Sequence, residues 1–136
     1  MDFKKLKTVA QLLIVVGLIA FAACKKTEYP YFSITIDRIT MPDKVHVMDS
    51  FKIHLYGYIG PTQCYVFDGV NFLTVETRAP NEIFLEAVGK QNTKDCGGGE
   101  SLLDDEIVAW FKELGEFIFY DINKPDVELG RIVVIP

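Results

Sequence analysis

The segment from Phe51 to Ile59 constrains the fold most, because apolar and polar residues alternate along it without interruption. The apolar phase holds Phe51, Ile53, Leu55, Gly57 and Ile59, and the polar phase holds Lys52, His54, Tyr56 and Tyr58. Successive side chains of an extended chain point to opposite faces, so a period of two predicts a β-strand with one buried face.

The same period recurs along most of the chain after residue 31. Further strands are predicted at residues 32–36, 45–47, 64–67, 72–77, 82–88, 117–119 and 127–135. Turn residues separate them, namely Pro42-Asp43, Gly60-Pro61, Asp68-Gly69, Ala79-Pro80-Asn81 and Asn123-Lys124-Pro125-Asp126. Short strands at regular spacing with such turns indicate an all-β sandwich.

Residues 104–114 fit two patterns. Ile107, Trp110, Phe111 and Leu114 have helical spacing, whereas Ile107, Ala109 and Phe111 also alternate as in a strand. We predict a strand, because the flanking segments are all predicted strands.

The N-terminal residues have the features of a secretory signal. Lys4, Lys5 and Lys7 precede an apolar run over residues 12–20, and Phe21-Ala22-Ala23-Cys24 follows it. The run is shorter than the roughly 18 to 20 residues that span a bilayer as a helix. An uncleaved anchor and a buried core helix remain the alternatives.

This segment resembles the lipobox of bacterial lipoproteins, with Phe21 where Leu or Val is usual. The resemblance implies that Cys24 receives diacylglycerol and becomes the first residue of the mature chain. The organisation predicted from it is a signal peptide over residues 1–23, a lipidated cysteine and tether over residues 24–31, and a sandwich over residues 32–136. Acyl chains would hold the domain on a membrane. Lys25 stands where an Asp would resemble an inner-membrane retention signal, so we expect the outer membrane of a bacterial envelope, on either face.

The charge of the chain argues against a nucleic-acid partner. Its 14 basic and 19 acidic residues give a net charge of −5. Loss of residues 1–23 removes three lysines and Asp2, which shifts the balance to −7. An acidic surface repels phosphate backbones and anionic headgroups and keeps a domain soluble.

If lipid occupies Cys24, two cysteines remain, Cys64 and Cys96. An envelope is an oxidising compartment, so we expect these two to form a disulfide. Two free thiols, or a metal site with His46 or His54, are the alternatives. The short ligand spacings typical of zinc sites are missing from the sequence.

The sequence contains no recognisable catalytic motif. His46 and His54 are its only histidines, both in the polar phase of predicted strands, and none of its serines lies in a Gly-x-Ser-x-Gly context. We therefore expect no catalytic residue, no cofactor and no metal. The acidic residues beside the triple glycine lack the spacing of an EF-hand loop, and they are predicted to form a solvated loop instead of a calcium site: Glu100, Asp104, Asp105 and Glu106.

Aromatic residues supply the candidate binding surface. Tyr56 and Tyr58 share one strand face, and Tyr65, Trp110 and Tyr120 are candidates to join them. Such rings form platforms for glycans or protein partners, although aromatic residues also fill sandwich cores.

A terminal hairpin adds a second resemblance. The segment Glu113-Leu114-Gly115-Glu116-Phe117-Ile118-Phe119 is similar to the acidic-x-Gly-x-Tyr-x-Cys approach to strand F of immunoglobulin-like domains, with Phe at the Tyr and Cys positions. Pro42-Asp43-Lys44-Val45-His46-Val47 is similar to an early strand of bacterial immunoglobulin-like lipoproteins. The resemblance implies an immunoglobulin-like antiparallel β-sandwich of about seven strands.

Two functions fit these features. The first is a membrane-anchored, non-enzymatic envelope module that binds a protein or glycan partner or acts as an accessory subunit. The alternative is a small envelope hydrolase that uses His54 or His46 with nearby carboxylates.

Overall fold

The computed structural model describes residues 30–92 and 96–136. The predicted signal peptide, Cys24 and most of the predicted tether lie outside the described residues. The described part contains nine strands and no helix: β1 Tyr31–Ile34, β2 Ile36–Thr40, β3 Lys44–His46, β4 Phe51–Gly60, β5 Tyr65–Leu73, β6 Glu82–Gln91, β7 Ser101–Ala109, β8 Gly115–Asp121 and β9 Lys124–Ile135. Thus no helix of the described residues has the length and hydropathy to cross a bilayer.

The strands form two sheets. In the larger one, β6 pairs with β5 along one edge and with both β1 and β8 along the other, and β9 and β3 follow β8. The smaller sheet has the order β2-β4-β7. Two pairings of the larger sheet, β3 with β9 and β6 with β8, are parallel, so the expectation of a purely antiparallel sandwich is corrected.

A single hydrophobic core lies between the sheets. The smaller sheet contributes Ile53, Leu55 and Leu103, and the larger sheet contributes Leu85, Phe119, Ile132 and others, all almost completely buried. Burial of each such side chain contributes about 1.5 to 3 kcal/mol. The predicted all-β class is confirmed, with two sheets that pack as a sandwich.

The strand directions define two ends of the molecule. At the disulfide end, Cys64 and Cys96 are bonded with a Cα–Cα distance of 5.2 Å, which confirms the predicted disulfide. Pro30 lies at the same end, where its carbonyl oxygen accepts a hydrogen bond from the Gln91 N–H. At the opposite end, which we call the apolar end, lie the loops of residues 47–50, 74–81 and 110–114.

The chain crosses from the larger to the smaller sheet at Thr35, between β1 and β2. The buried carboxylate of Asp121 accepts a hydrogen bond from the Ile36 N–H at 3.0 Å, just after the crossing. A Cβ on Gly57 would lie 2.5 Å from the Thr35 carbonyl oxygen, so the crossing requires glycine there.

Several predicted boundaries change. The expected strand over residues 32–36 is two strands, and the two expected around Asp68-Gly69 are one strand, β5, with a register irregularity between Phe67 and Gly69. The strand predicted at residues 104–114 is confirmed up to Ala109, after which residues 110–114 form a loop. The described part therefore has nine strands instead of about seven.

Candidate functional site

The outer face of the smaller sheet carries the polar phase of β4, as the alternation predicts. The Arg38 guanidinium lies 3.9 Å from the centre of the Tyr56 ring, and the His54 ring is stacked on Tyr56 with centroids 4.4 Å apart. His54 Nε2 lies 2.5 Å from Asp104 Oδ1 on β7. Because Arg38 and His54 both cover the half-buried Tyr56, Tyr58, which is 46% exposed, is the more accessible of the two tyrosines on this face.

The contact between His54 and Asp104 is the arrangement that orients a catalytic base. It lies on an exposed sheet face, and within residues 30–92 and 96–136 no hydroxyl or thiol group hydrogen-bonds to His54. The geometry therefore supports a cross-strand contact that stabilises the sheet.

His46 has a structural contact. Its Nδ1 lies 2.7 Å from the carbonyl oxygen of Pro136, so this nitrogen carries the proton and donates to the backbone. The bond fastens the end of β3 to the end of β9, its parallel partner.

The structure places the remaining candidate aromatic residues on three other parts of the molecule. Tyr65 packs edge-on against Phe32 near the disulfide. Tyr120 stacks on Phe84 on the outer face of the larger sheet and donates a hydrogen bond to Glu82. Trp110 lies at the apolar end and is 57% exposed. Only Tyr56 and Tyr58 share a face.

The acidic residues next to the triple glycine do not form one loop. Asp104, Asp105 and Glu106 belong to β7, which corrects the prediction of a solvated loop. Asp104 contacts His54, and Glu106 forms an ion pair with Lys52 at 2.6 Å. Among the described residues, no three histidine, cysteine or carboxylate side chains are placed to hold a metal ion.

The apolar end has the largest concentration of exposed hydrophobic side chains. Six of the ten large hydrophobic residues that are exposed in the described part lie there: Met48, Phe72, Leu73, Val108, Trp110 and Leu114. Exposed apolar side chains are ordinary when scattered, but a contiguous patch marks an interaction site. The sequence signal for this site was the break in alternation at Trp110, where residues 104–114 fit two patterns.

A groove of about 380 Å³ runs through this patch. Its lining is entirely apolar and comes from both sheets: Phe72, Ile83, Val108, Ala109, Trp110 and Phe111. The groove therefore lies between the end of β5 and the end of β7.

The floor of the groove is held in place by its neighbours. The Phe111 ring is stacked on Phe117 with centroids 4.0 Å apart and on Phe51 at 5.9 Å. The Phe111 carbonyl oxygen accepts a hydrogen bond from the Met48 N–H at 2.9 Å. A binding surface on such fixed elements loses little conformational freedom when a partner docks.

The pKa shifts of the described residues belong to ion pairs outside the groove. A hydrogen bond from Arg78 lowers the pKa of Glu82, and one from Arg131 lowers the pKa of Glu128. The hydrogen bond that Lys90 donates to Asp68 raises the pKa of Lys90. None of these shifted groups lines the groove, so its recognition is apolar in character.

Comparisons of the chain with protein-family models, with curated proteins and with solved structures gave no match.

Proposed function

We propose that this chain is a lipid-anchored lipoprotein of the bacterial envelope, in which a non-enzymatic sandwich domain binds a partner with its apolar end. The observation that carries the proposal is the exposed apolar groove at the end of the sandwich opposite Pro30. The lipid on Cys24, the outer membrane and the lack of catalytic activity belong to the same proposal.

The direction of the strands supports this arrangement. Only six residues separate Cys24 from Tyr31, the first residue of β1. A lipid on Cys24 would hold the disulfide end near the membrane. The ten residues of β6 run from the groove toward that end and span about 30 Å. The apolar end would then project away from the membrane, toward a partner.

The disulfide between Cys64 and Cys96 supports an oxidising compartment. Such bonds persist in secreted and envelope proteins and are rare in a reducing cytosol. The bond also joins two loops at the end that would face the membrane.

We infer that the sandwich is a variant of the immunoglobulin-like type. The pairing of β2, β4 and β7 fits strands A, B and E of that fold, and the β8–β9 hairpin fits strands F and G. The neighbour of β8 on its other side is β6, which runs parallel to it, where strand C would run antiparallel. In this variant β5 takes the position of strand C, and β6 is an additional strand inserted between β5 and β8.

Two experiments in intact cells test this proposal. Metabolic labelling with an alkyne fatty acid is expected to mark the full chain and to fail for Cys24→Ser; equal labelling of both would contradict the anchor. A photo-crosslinking amino acid in place of Trp110 is expected to give an adduct with a partner, whereas the same group in place of Val127, which is equally exposed on β9, is not. Identical adducts from both positions would contradict binding at the apolar end.

A further inference from the structure

The strand β7 has a free edge that leads into the apolar groove. Within residues 30–92 and 96–136, five strands have a single strand neighbour, and they are β1, β2, β3, β5 and β7. The first three have three to five residues. The nine-residue β5 has a register irregularity at Asp68, which interrupts an edge. β9 also has no strand partner on its β3 side over residues 124–132, but its register with β8 shifts twice there. The edge of β7 is therefore the longest regular edge of the described part.

The pairing of β7 with β4 is continuous from Leu102 to Ala109. Its other edge presents a row of backbone N–H and C=O groups that an extended peptide can pair with. Val108 and Ala109 belong both to this strand and to the groove lining. A peptide that pairs with β7 would thus deliver its side chains into the groove.

The charged residues of β7 determine which class of peptide could pair with its edge. Asp104, Asp105 and Glu106 occupy its centre, with Leu102 and Leu103 on one side and Ile107, Val108 and Ala109 on the other. Asp104 and Glu106 point outward with the exposed phase, where they contact His54 and Lys52 of β4. Asp105, opposite the buried Leu55, follows the inward phase of Leu103 and Ile107. Both faces of an added strand would therefore meet a carboxylate.

A second copy of the chain does not meet this requirement. An antiparallel pair of β7 strands centred on Asp105 would place Asp105 opposite its own copy and Asp104 opposite Glu106. Like charges directly opposite each other are destabilising in a sheet. An inward-pointing charge on an edge strand is also a means by which sheets avoid self-association.

We propose that the β7 edge and the groove bind an extended segment of another protein that has a short basic centre and large apolar residues beside it. Its backbone extends the smaller sheet, and one basic side chain faces Asp105. The neighbouring basic side chains reach the Asp104–His54 and Glu106–Lys52 pairs, and an apolar side chain enters the groove beside Trp110. This inference rests on the proposed binding role of the apolar end and adds the chemical class of the partner.

Trp110 is the only tryptophan of the chain, so its fluorescence reports directly on the groove. The test uses the full chain in detergent and a nine-residue peptide, the length of β7, with three central lysines flanked by alternating valine and leucine. A matched peptide has glutamates in place of the lysines. We expect a blue shift of Trp110 emission with the lysine peptide that weakens at high salt, and none with the glutamate peptide. Equal shifts with both peptides, or none with either, would overturn the proposal.

Two further comparisons separate strand pairing from simple charge attraction. Lysine peptides N-methylated at odd or at even positions lose the backbone donors of one edge or of the other. The peptide that keeps the donors facing β7 is expected to bind, and the peptide that lacks them is expected not to bind. Equal binding of the two would overturn backbone pairing with β7. Asp105→Lys is expected to weaken binding by about tenfold or more, because a like charge then faces the peptide. Asp43→Lys, an exposed charge reversal away from β7, is the matched control and should bind as the unaltered chain does.

The peptide-binding measurement also shows whether something other than a partner protein occupies the β7 edge. A full chain that fails to bind while a chain without residues 1–23 succeeds would show that the N-terminal segment occupies the edge, and would overturn the proposal. A dimer that the lysine peptide dissociates would show a second copy on the edge, with the same consequence. Failure of the peptide together with a crosslink at Trp110 would reject this partner class and keep the proposed binding role.

Discussion

The carboxylate of Asp121 accepts a hydrogen bond from the backbone N–H of Ile36 across 85 residues of sequence. Asp121 is completely buried at the end of β8, and Ile36 is the first residue of β2, immediately after the chain has changed sheets. The same side chain accepts a second hydrogen bond from the Asn123 N–H at 3.1 Å. One buried carboxylate thus fixes both the sheet crossing and the turn into β9.

We expect Asp121→Ala to lower the free energy of unfolding by about 2 to 3 kcal/mol, because the buried Ile36 N–H and the partly buried Asn123 N–H lose their acceptor. Asp121→Asn retains one acceptor oxygen and should lose less. Urea unfolding measured by circular dichroism checks both, with Asp126→Ala as the control, since the Asp126 side chain is 92% exposed. A loss for Asp121→Ala no larger than for the control would contradict this role.

A second prediction concerns the close approach at the same crossing. Gly57→Ala places a Cβ against the Thr35 carbonyl oxygen, and we expect a loss of about 1 to 3 kcal/mol because the backbone must shift. Gly98→Ala is the matched control, because a Cβ there meets no atom within 4 Å. Equal midpoints of urea unfolding for the two variants would show that the crossing tolerates a side chain.

The disulfide gives a third prediction. The bond between Cys64 and Cys96 closes a loop across 32 positions, and its removal is expected to cost about 3 to 4 kcal/mol on the chain-entropy view. The Cys64→Ser, Cys96→Ser double variant should therefore unfold at lower urea than the oxidised chain. Reductant should lower the midpoint of the unaltered chain to that of the double variant and leave the double variant unchanged. A midpoint insensitive to reductant in both would contradict a stabilising bond.

The alternation of Phe51 to Ile59 predicted β4 correctly because a period of two is a local property that burial of one face then enforces. The crossing at Thr35 was not predictable in this way. Phe32, Ile34 and Ile36 continue one apolar phase through it, while Asp121, which fixes the crossing, lies far away in sequence.

Two other differences between the predicted and the observed strands also arise from contacts between segments that are distant in sequence. Asp68-Gly69 has the composition of a turn, but β6 is long enough to pair with residues on both sides of it, so the chain continues as one strand with an irregularity. Residues 104–114 fit both helical spacing and a strand, whereas the loop over residues 110–114 accompanies the stacking of Phe111 on Phe117 from the other sheet. The groove depends on contacts between two sheets, which no single segment encodes.

The last prediction concerns acid. Arg78 donates hydrogen bonds from Nε and Nη2 to the two carboxylate oxygens of Glu82, at 3.0 and 3.2 Å, and these bonds hold the pKa of Glu82 below its ordinary value near 4.5. A carboxyl whose pKa is lower in the folded chain stabilises the fold above its unfolded pKa, and this contribution is lost as the pH falls through the folded pKa. The unfolding temperature should therefore decrease as the pH is lowered below about 4.5. Glu82→Gln should make that decrease smaller and should lower the unfolding temperature at pH 7.

Glu76→Gln is the control, because Glu76 is exposed and forms no ion pair among the described residues. Calorimetry from pH 7 to pH 3 checks this, and parallel curves for Glu82→Gln and the unaltered chain would show that the pair does not couple to folding.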